Sequence, residues 1–289
     1  MSENNSSCCI GRFRFTLPDS LKLAGRSQSI YGVDSRTALL TSQNADALWS
    51  AKITRIRSLT PPNGRRQTII RNFELVNGIA AVWYFPSSTL SNVHRLEAMK
   101  PTMDHALDVG FNAEAGKEHF AEQLVANVIS AYAPGGEHGF CIGHGSITSE
   151  PGLSEQASAS FVHRQLTDFR VSFDTHTVRE SATQHPLSDI AAEKRDFEAA
   201  GGNLIVLRDT ERTVAELRGR EGLVSVVSPG ENPFVRFTWH FPGAGQRSDF
   251  PEILIDGFSP TEHQAALEEV WEAMLQSVRR VPPSPRRSL

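Results

Sequence analysis

Cys9-Ile10-Gly11 recurs as Cys141-Ile142-Gly143 almost at the midpoint of the 289 residues. Each copy opens a run of strand-like segments that closes on one long amphipathic helix. The expected fold is therefore α+β in two similarly built lobes, each a mainly antiparallel sheet packed with one or two helices. The lobes are expected over 9–134 and 138–281, with a disordered tail over 282–289. A chain of this length gives each lobe enough residues for a core of its own.

In the first lobe, Arg12 to Leu17 alternates strictly and reads as a half-buried strand. Ala51 to Ile56 and Thr68 to Val76 read as further strands, separated by Pro61-Pro62-Asn63-Gly64. Asn77-Gly78 between two apolar runs is the strongest hairpin signal, because both residues accept positive φ. Val93 to Met99 follows as another strand. Phe120, Leu124, Val128 and Tyr132 then fall four apart, with Val125 and Ile129 beside them, which predicts a helix from about 113 to 133. Pro134-Gly135-Gly136 stops it.

In the second lobe, Phe140 to Ser149, Gln156 to Val162 and Phe169 to Asp174 read as strands. A helix is expected from Leu187 to Ala200, then strands over Leu204 to Arg208, Gly222 to Val227, Arg236 to Phe241 and Ile253 to Ile255. The closing helix is expected to start at Ser259-Pro260 and to bury Leu267, Val270, Trp271, Met274, Leu275 and Val278.

The charge balance excludes some partners. Twenty-nine basic against 33 acidic side chains give a net −4, with no dense Lys/Arg run, so neither nucleic acid nor an anionic membrane is the expected partner. A protein with a basic face suits such a surface. No stretch approaches the ~20 apolar residues of a membrane helix. The polar start, Met1 to Ser7, does not read as a signal peptide. Three cysteines leave at least one thiol unpaired within the chain. They read either as three reduced thiols or as a Cys9–Cys141 bridge, which would close a loop worth roughly 4–5 kcal/mol in the chain-entropy model and would require an oxidising compartment.

Gly143-His144-Gly145-Ser146 invites a hydrolase reading with Ser146 as nucleophile and His144 or another histidine as base. A nucleophile elbow needs Gly-x-Ser-x-Gly before a helix, and Ser146 is followed by strand-like Ile147-Thr148-Ser149. His138, Cys141 and His144 are spaced as metal ligands could be, but on one extended strand Cys141 would face away from the two histidines. Glu118 and Glu122, one helical turn apart, read as a solvated face rather than an acid–base pair. No phosphate loop, His-Glu-x-x-His or Cys-x-x-Cys is present, so no cofactor and no metal are expected. Trp239-His240-Phe241, Tyr84-Phe85-Pro86 and Arg218-Gly219-Arg220-Glu221 read either as interface anchors or as strand-end core.

Several segments together resemble the type VI secretion lipase immunity proteins of the fourth class. They are Cys9 to Phe13 with Leu17-Pro18, Gly139 to Ser146 followed by Ser149-Glu150-Pro151 and Glu155, Phe237 to Gly243, and the closing helix through Trp271. The resemblance spans roughly residues 9–281. It implies a non-catalytic protein that binds a cognate phospholipase effector one-to-one, blocks its active site, and protects the producer and its siblings. It also implies a periplasmic location, with the cytoplasm as the alternative for a chain read without a leader. The competing readings are a Ser146 hydrolase and an envelope scaffold.

Overall fold

A computed structural model describes residues 6–40, 44–148, 154–178, 190–244 and 250–282. In chain order the elements begin with β1 (Ser6–Ile10), β2 (Phe13–Leu17), β3 (Leu21–Ile30), β4 (Val33–Leu39) and α1 (Ala45–Arg57). Next come β5 (Ile69–Glu74), β6 (Ala80–Tyr84), β7 (Val93–Pro101), β8 (His105–Glu114) and α2 (Glu118–Ala131). The short strands β9 (Tyr132–Pro134), β10 (Phe140–Ile142) and β11 (Gly145–Ile147) follow. Then come β12 (Glu155–His163), β13 (Arg170–His176), α3 (Ile190–Ala199), β14 (Asn203–Val214) and β15 (Leu217–Val227). The chain closes with β16 (Phe234–Phe241), β17 (Glu252–Pro260), α4 (Gln264–Ser277) and β18 (Arg279–Arg280). The fold is α+β, mostly antiparallel sheet with helices packed on it.

The chain divides into two compact units. A middle unit is Gln28–Ser149, and a terminal unit joins Met1–Ser27 to Glu150–Leu289. The head of the chain, β1 and β2, thus belongs with α4. The 282–289 tail, apart from Pro282, lies outside the described residues, as do Leu187 to Asp189 of the expected third helix.

In the middle unit the antiparallel order is β4-β8-β7-β6-β5, and the end of β3 pairs with β4 through Ser29↔Asp34 and Ile30↔Val33. Asn77 and Gly78 adopt φ of 60° and 71° between the paired strands β5 and β6, so the expected hairpin forms. Two expectations fail here. The segment 51–56 is not a strand but part of α1, where Trp49, Ile53 and Ile56 come together on one side at helical spacing. Asn44 caps that helix by accepting from the Ala47 amide at 2.8 Å. The long helix starts only at Glu118, because 105–114 is strand β8 paired along its length with β7. Its buried residues are Ala121, Val125, Val128 and Ile129, while Phe120 is 62% exposed.

In the terminal unit the order is β14-β15-β16-β17-β13-β12, antiparallel throughout. Ala157, Ala159 and Phe161 are buried on one face of β12, as their alternation requires. Phe13 and Phe15 of β2 meet Phe173, and Phe15 also meets Phe161 edge-on at 5.7 Å. Helix α4 buries five of the six residues expected of it, and the sixth, Val278, is buried just past its end. Its start differs: Ser259 and Pro260 are the end of β17, and a 3₁₀ turn (Thr261–His263) leads into α4 without a side-chain cap.

Each Cys-Ile-Gly copy has the same local structure. Ile10 pairs with Phe13 and Ile142 with Gly145, leaving the two-residue turns Gly11-Arg12 and Gly143-His144. Both glycines sit at positive φ, 57° and 54°. The expected single strand over 140–149 is therefore two short strands, β10 and β11, folded at Gly143.

Candidate partner-binding surface

The residues singled out for chemistry are placed in structural roles. Ser146 lies in β11 opposite Cys141 and Ala133, with no exposed area, and its hydroxyl has no hydrogen-bond partner among the described residues. A side chain on Gly136 would approach the Ser146 Oγ to 2.2 Å, and one on Gly145 would come within 2.6 Å of Tyr132 and the Ala133 carbonyl. Close packing explains these glycines, and no base hydrogen-bonds the serine. With His144 in a tight turn, the extended-strand geometry assumed for His138, Cys141 and His144 does not exist. No three His, Cys, Asp or Glu among the described residues are placed to hold a metal.

Glu118 and Glu122 tie α2 to the sheet through separate partners. Glu122 accepts from the Trp83 indole at 2.8 Å and pairs with Arg71. Glu118 meets His94 Nδ1 at 2.7 Å and accepts the Gly116 amide at 2.9 Å. Its carboxyl is held below the ordinary range, first by its own backbone amide. Trp239, His240, Tyr84, Phe85 and Glu221 are buried and belong to the core, whereas Phe241 is half-buried and Arg218 and Arg220 are exposed.

Two polar assemblies went unnoticed in the sequence. Lys52 of α1 pairs with both Glu97 of β7 and Asp108 of β8, while Arg95 holds Glu97 at 2.7 Å and Arg36 holds Asp108 at 2.6 Å. Burial alone would raise the Glu97 carboxyl, but the Lys52 charge and the donors from Lys52 and Arg95 outweigh it and lower it. Burial and the neighbouring Glu97 push the Tyr84 phenol up to about 12. Glu97 and Asp108 interrupt otherwise apolar strands at inward positions, and that was the available signal. The second assembly is a chain in which Tyr132 Oη lies 2.6 Å from His105 Nε2 and His105 Nδ1 2.6 Å from Asp104. Burial, and then the charge of Asp104, push the Tyr132 phenol up to about 12, so it keeps its proton. It is no nucleophile at neutral pH.

The surface best suited to a partner in the terminal unit is the open edge of its sheet. β14 pairs only with β15 among the described strands, and the β14–β15 hairpin turns through Ala215 and Glu216 at φ of 51° and 67°. Neither residue announces such a turn, which is why both strands run longer than expected. Around a register shift between Val206 and Arg208, Ile205 and Leu207 are 47% and 49% exposed, and Val206 and Val227 stand out beside them. An unpaired apolar edge is a ready site for pairing with another chain. It is also rigidly backed. Arg212 forks onto Glu272 of α4 at 2.9 and 2.7 Å and reaches Glu221 at 3.0 Å, which also accepts the Trp271 indole at 2.7 Å.

A model of the Tle cognate immunity protein 4 C-terminal domain matches residues 135–282, just over half of the chain. The chain belongs to the Tle cognate immunity protein 4 family. No curated protein matches it. Solved structures match over nearly its whole length. The apo structure of the immunity protein TplEi of the T6SS from Pseudomonas aeruginosa has 20% identity and a TM-score of 0.74, covering 98% of this chain and 99% of that one. The crystal structure of the Tle4–Tli4 complex contains a chain with 18% identity and a TM-score of 0.75, covering 98% and 100%. TplEi complexed with an "L" peptide has 19% identity and a TM-score of 0.69, covering 96% and 98%. At these identities the likeness establishes that the immunity family's fold extends beyond the matched domain. No helix among the described residues is long and apolar enough to cross a membrane.

Proposed function

We propose that this protein binds a cognate type VI secretion phospholipase effector one-to-one and blocks its active site, protecting the producer and its siblings. The match of residues 135–282 to the immunity family carries this reading. The related solved structures support it, one being an immunity protein in complex with Tle4 and another an immunity protein holding a peptide. Occlusion requires no chemistry from the inhibitor, only a complementary surface of roughly 800 Å² per partner or more. The buried Ser146 hydroxyl, with no hydrogen-bond partner among the described residues, speaks against the hydrolase alternative.

The proposed location is the periplasm. There Cys9 and Cys141 are proposed as a bridge, with Cys8, the free cysteine, left over. Burial pushes the Cys8 thiol up, which keeps it protonated and inert. Non-reducing mass spectrometry of exported protein tests the bridge, and three free thiols would remove it.

Mixing with the cognate phospholipase effector and sizing the product tests the main reading. A one-to-one complex, formed equally well by Ser146→Ala, is expected. Separate peaks would return the envelope-scaffold reading, and turnover lost in Ser146→Ala would return the hydrolase.

A further inference from the structure

The middle unit carries a notch of about 380 Å³ where the ends of its two helices meet the sheet. Trp49 comes from α1, Ile79 and Ala80 from the approach to β6 and its first residue, Met99 from β7 and Ile129 from α2. We propose that this notch receives one bulky apolar side chain of the partner protein, presented beside a basic residue. The proposal rests on the immunity reading above and adds an anchor point with a stated chemistry.

The apolar part follows from the lining. Trp83, Trp239 and Trp271 are fully buried, whereas Trp49 is half-buried at the notch. Its indole N–H has no protein acceptor among the described residues, leaving a donor for a partner's carbonyl. A half-open cup walled by the half-buried Trp49 and Ala80 over a floor of the buried Ile79, Met99 and Ile129 is the environment in which a single inserted aromatic or Leu carries much of an interface's binding energy. The notch lies at the lower end of the ~300–1,000 Å³ of small-molecule sites. That is ample for one side chain and the turn that presents it.

The basic part follows from charge. Asp46 lines the rim, and Glu74 stands beside Gly78, another lining residue. Neither carboxylate has an ion-pair partner among the described residues. Lys100 is the one base in the lining, and it is already committed. Its ammonium donates to the Ile129 and Tyr132 carbonyls at 3.0 and 3.3 Å, at the C-terminal end of α2, and lies near the Tyr132 ring. The rim is therefore net negative, and a Lys or Arg flanking the inserted side chain complements it.

The test is the affinity of the whole chain for its cognate phospholipase effector, compared with two variants. Ala80→Phe fills the notch from a strand position that favours aromatics. Asp46→Lys reverses the rim. Ala80→Phe is expected to weaken binding at least tenfold with an unchanged thermal midpoint. Asp46→Lys is expected to weaken it about threefold through slower, salt-dependent association. In protein labelled with 5-fluorotryptophan, the Trp49 resonance, assigned with Trp49→Phe, should move when the complex forms. A folded Ala80→Phe with wild-type affinity overturns the notch. If that variant does not fold, a Trp49 resonance unmoved by the complex overturns it. Wild-type protein that binds no phospholipase sinks the immunity reading and the anchor with it.

Discussion

Helices α4 and α1 do the same job in different units, and they do it by different physics. Each holds one face of an antiparallel sheet. Helix α4 does so chiefly with a continuous apolar stripe, Leu267, Val270, Trp271, Met274 and Leu275, while the Trp271 indole bonds the buried Glu221 and Arg212 pairs with Glu272 at its half-exposed edge. Helix α1 fully buries only Ile56 and is held instead by Lys52 on Glu97 and Asp108. An apolar stripe stabilises through area removed from water. A buried ion cluster gains from attraction largely what desolvation costs, so its main effect is to fix position.

The comparison breaks most visibly at Trp271. Trp271→Ala removes the largest buried side chain of the stripe and leaves a cavity, and it should cost about 3–5 kcal/mol in urea unfolding. A loss below about 1 kcal/mol would show that α4 is not held by its apolar face.

Lys52→Met is the counterpart in the middle unit. It strands two carboxylates that Arg95 and Arg36 only partly compensate, and about 3 kcal/mol of destabilisation at neutral pH is expected. The pH dependence gives it a signature. A carboxyl lowered by folding, as Glu97 is, contributes stability that is complete above its unfolded value. That stability is lost as pH falls through the folded value. The penalty of Lys52→Met should therefore shrink on acidification below about pH 4, whereas that of Trp271→Ala should not. Parallel pH profiles for the two variants would show that Lys52 acts by packing rather than by charge.

Asp256 sharpens the contrast with the opposite sign. Burial raises its carboxyl in the terminal unit, despite the donor from Thr238, and the same cause raises Asp174. Folding disfavours the charged form, so stability falls as pH rises through the folded value. Asp256→Asn, which keeps an acceptor for Thr238, should stabilise at neutral pH by something near the low end of ~0.5–2 kcal/mol and lose that gain in acid. Destabilisation at pH 7 would mean that the charge is needed.

Phe120→Ser is the smallest effect. With Phe120 largely exposed on α2, the thermal midpoint should stay within experimental error, a change inside ~0.5 kcal/mol. A clear loss would restore the helix phase expected from the sequence.

The same contrast explains what could be read from the residues alone. Periodic apolar patterns gave α4 its buried face, β12 its alternation and the Asn77-Gly78 hairpin its place. Helix α1 was misread because its short apolar set, Trp49, Ile53 and Ile56, overlaps a segment whose Ile53 and Ile56 also suit a strand. What fixes it lies 45 and 56 residues away, at Glu97 and Asp108. Strand β8 fell between the strand expected to Met99 and the helix expected from about 113, because its apolar residues, broken by Asp108, Gly110 and Asn112, carry no clear period. The exposed edge suited to a partner was least legible. Most of the aromatics that looked like anchors are core, while the exposed edge at Ile205 to Leu207 read as an ordinary strand.

The most direct test of the immunity reading is phospholipase activity of the protein's cognate Tle effector, followed as the protein is added. The account predicts activity falling linearly to zero near one equivalent, with Ser146→Ala equally effective. Full activity at a several-fold excess of folded protein would contradict it.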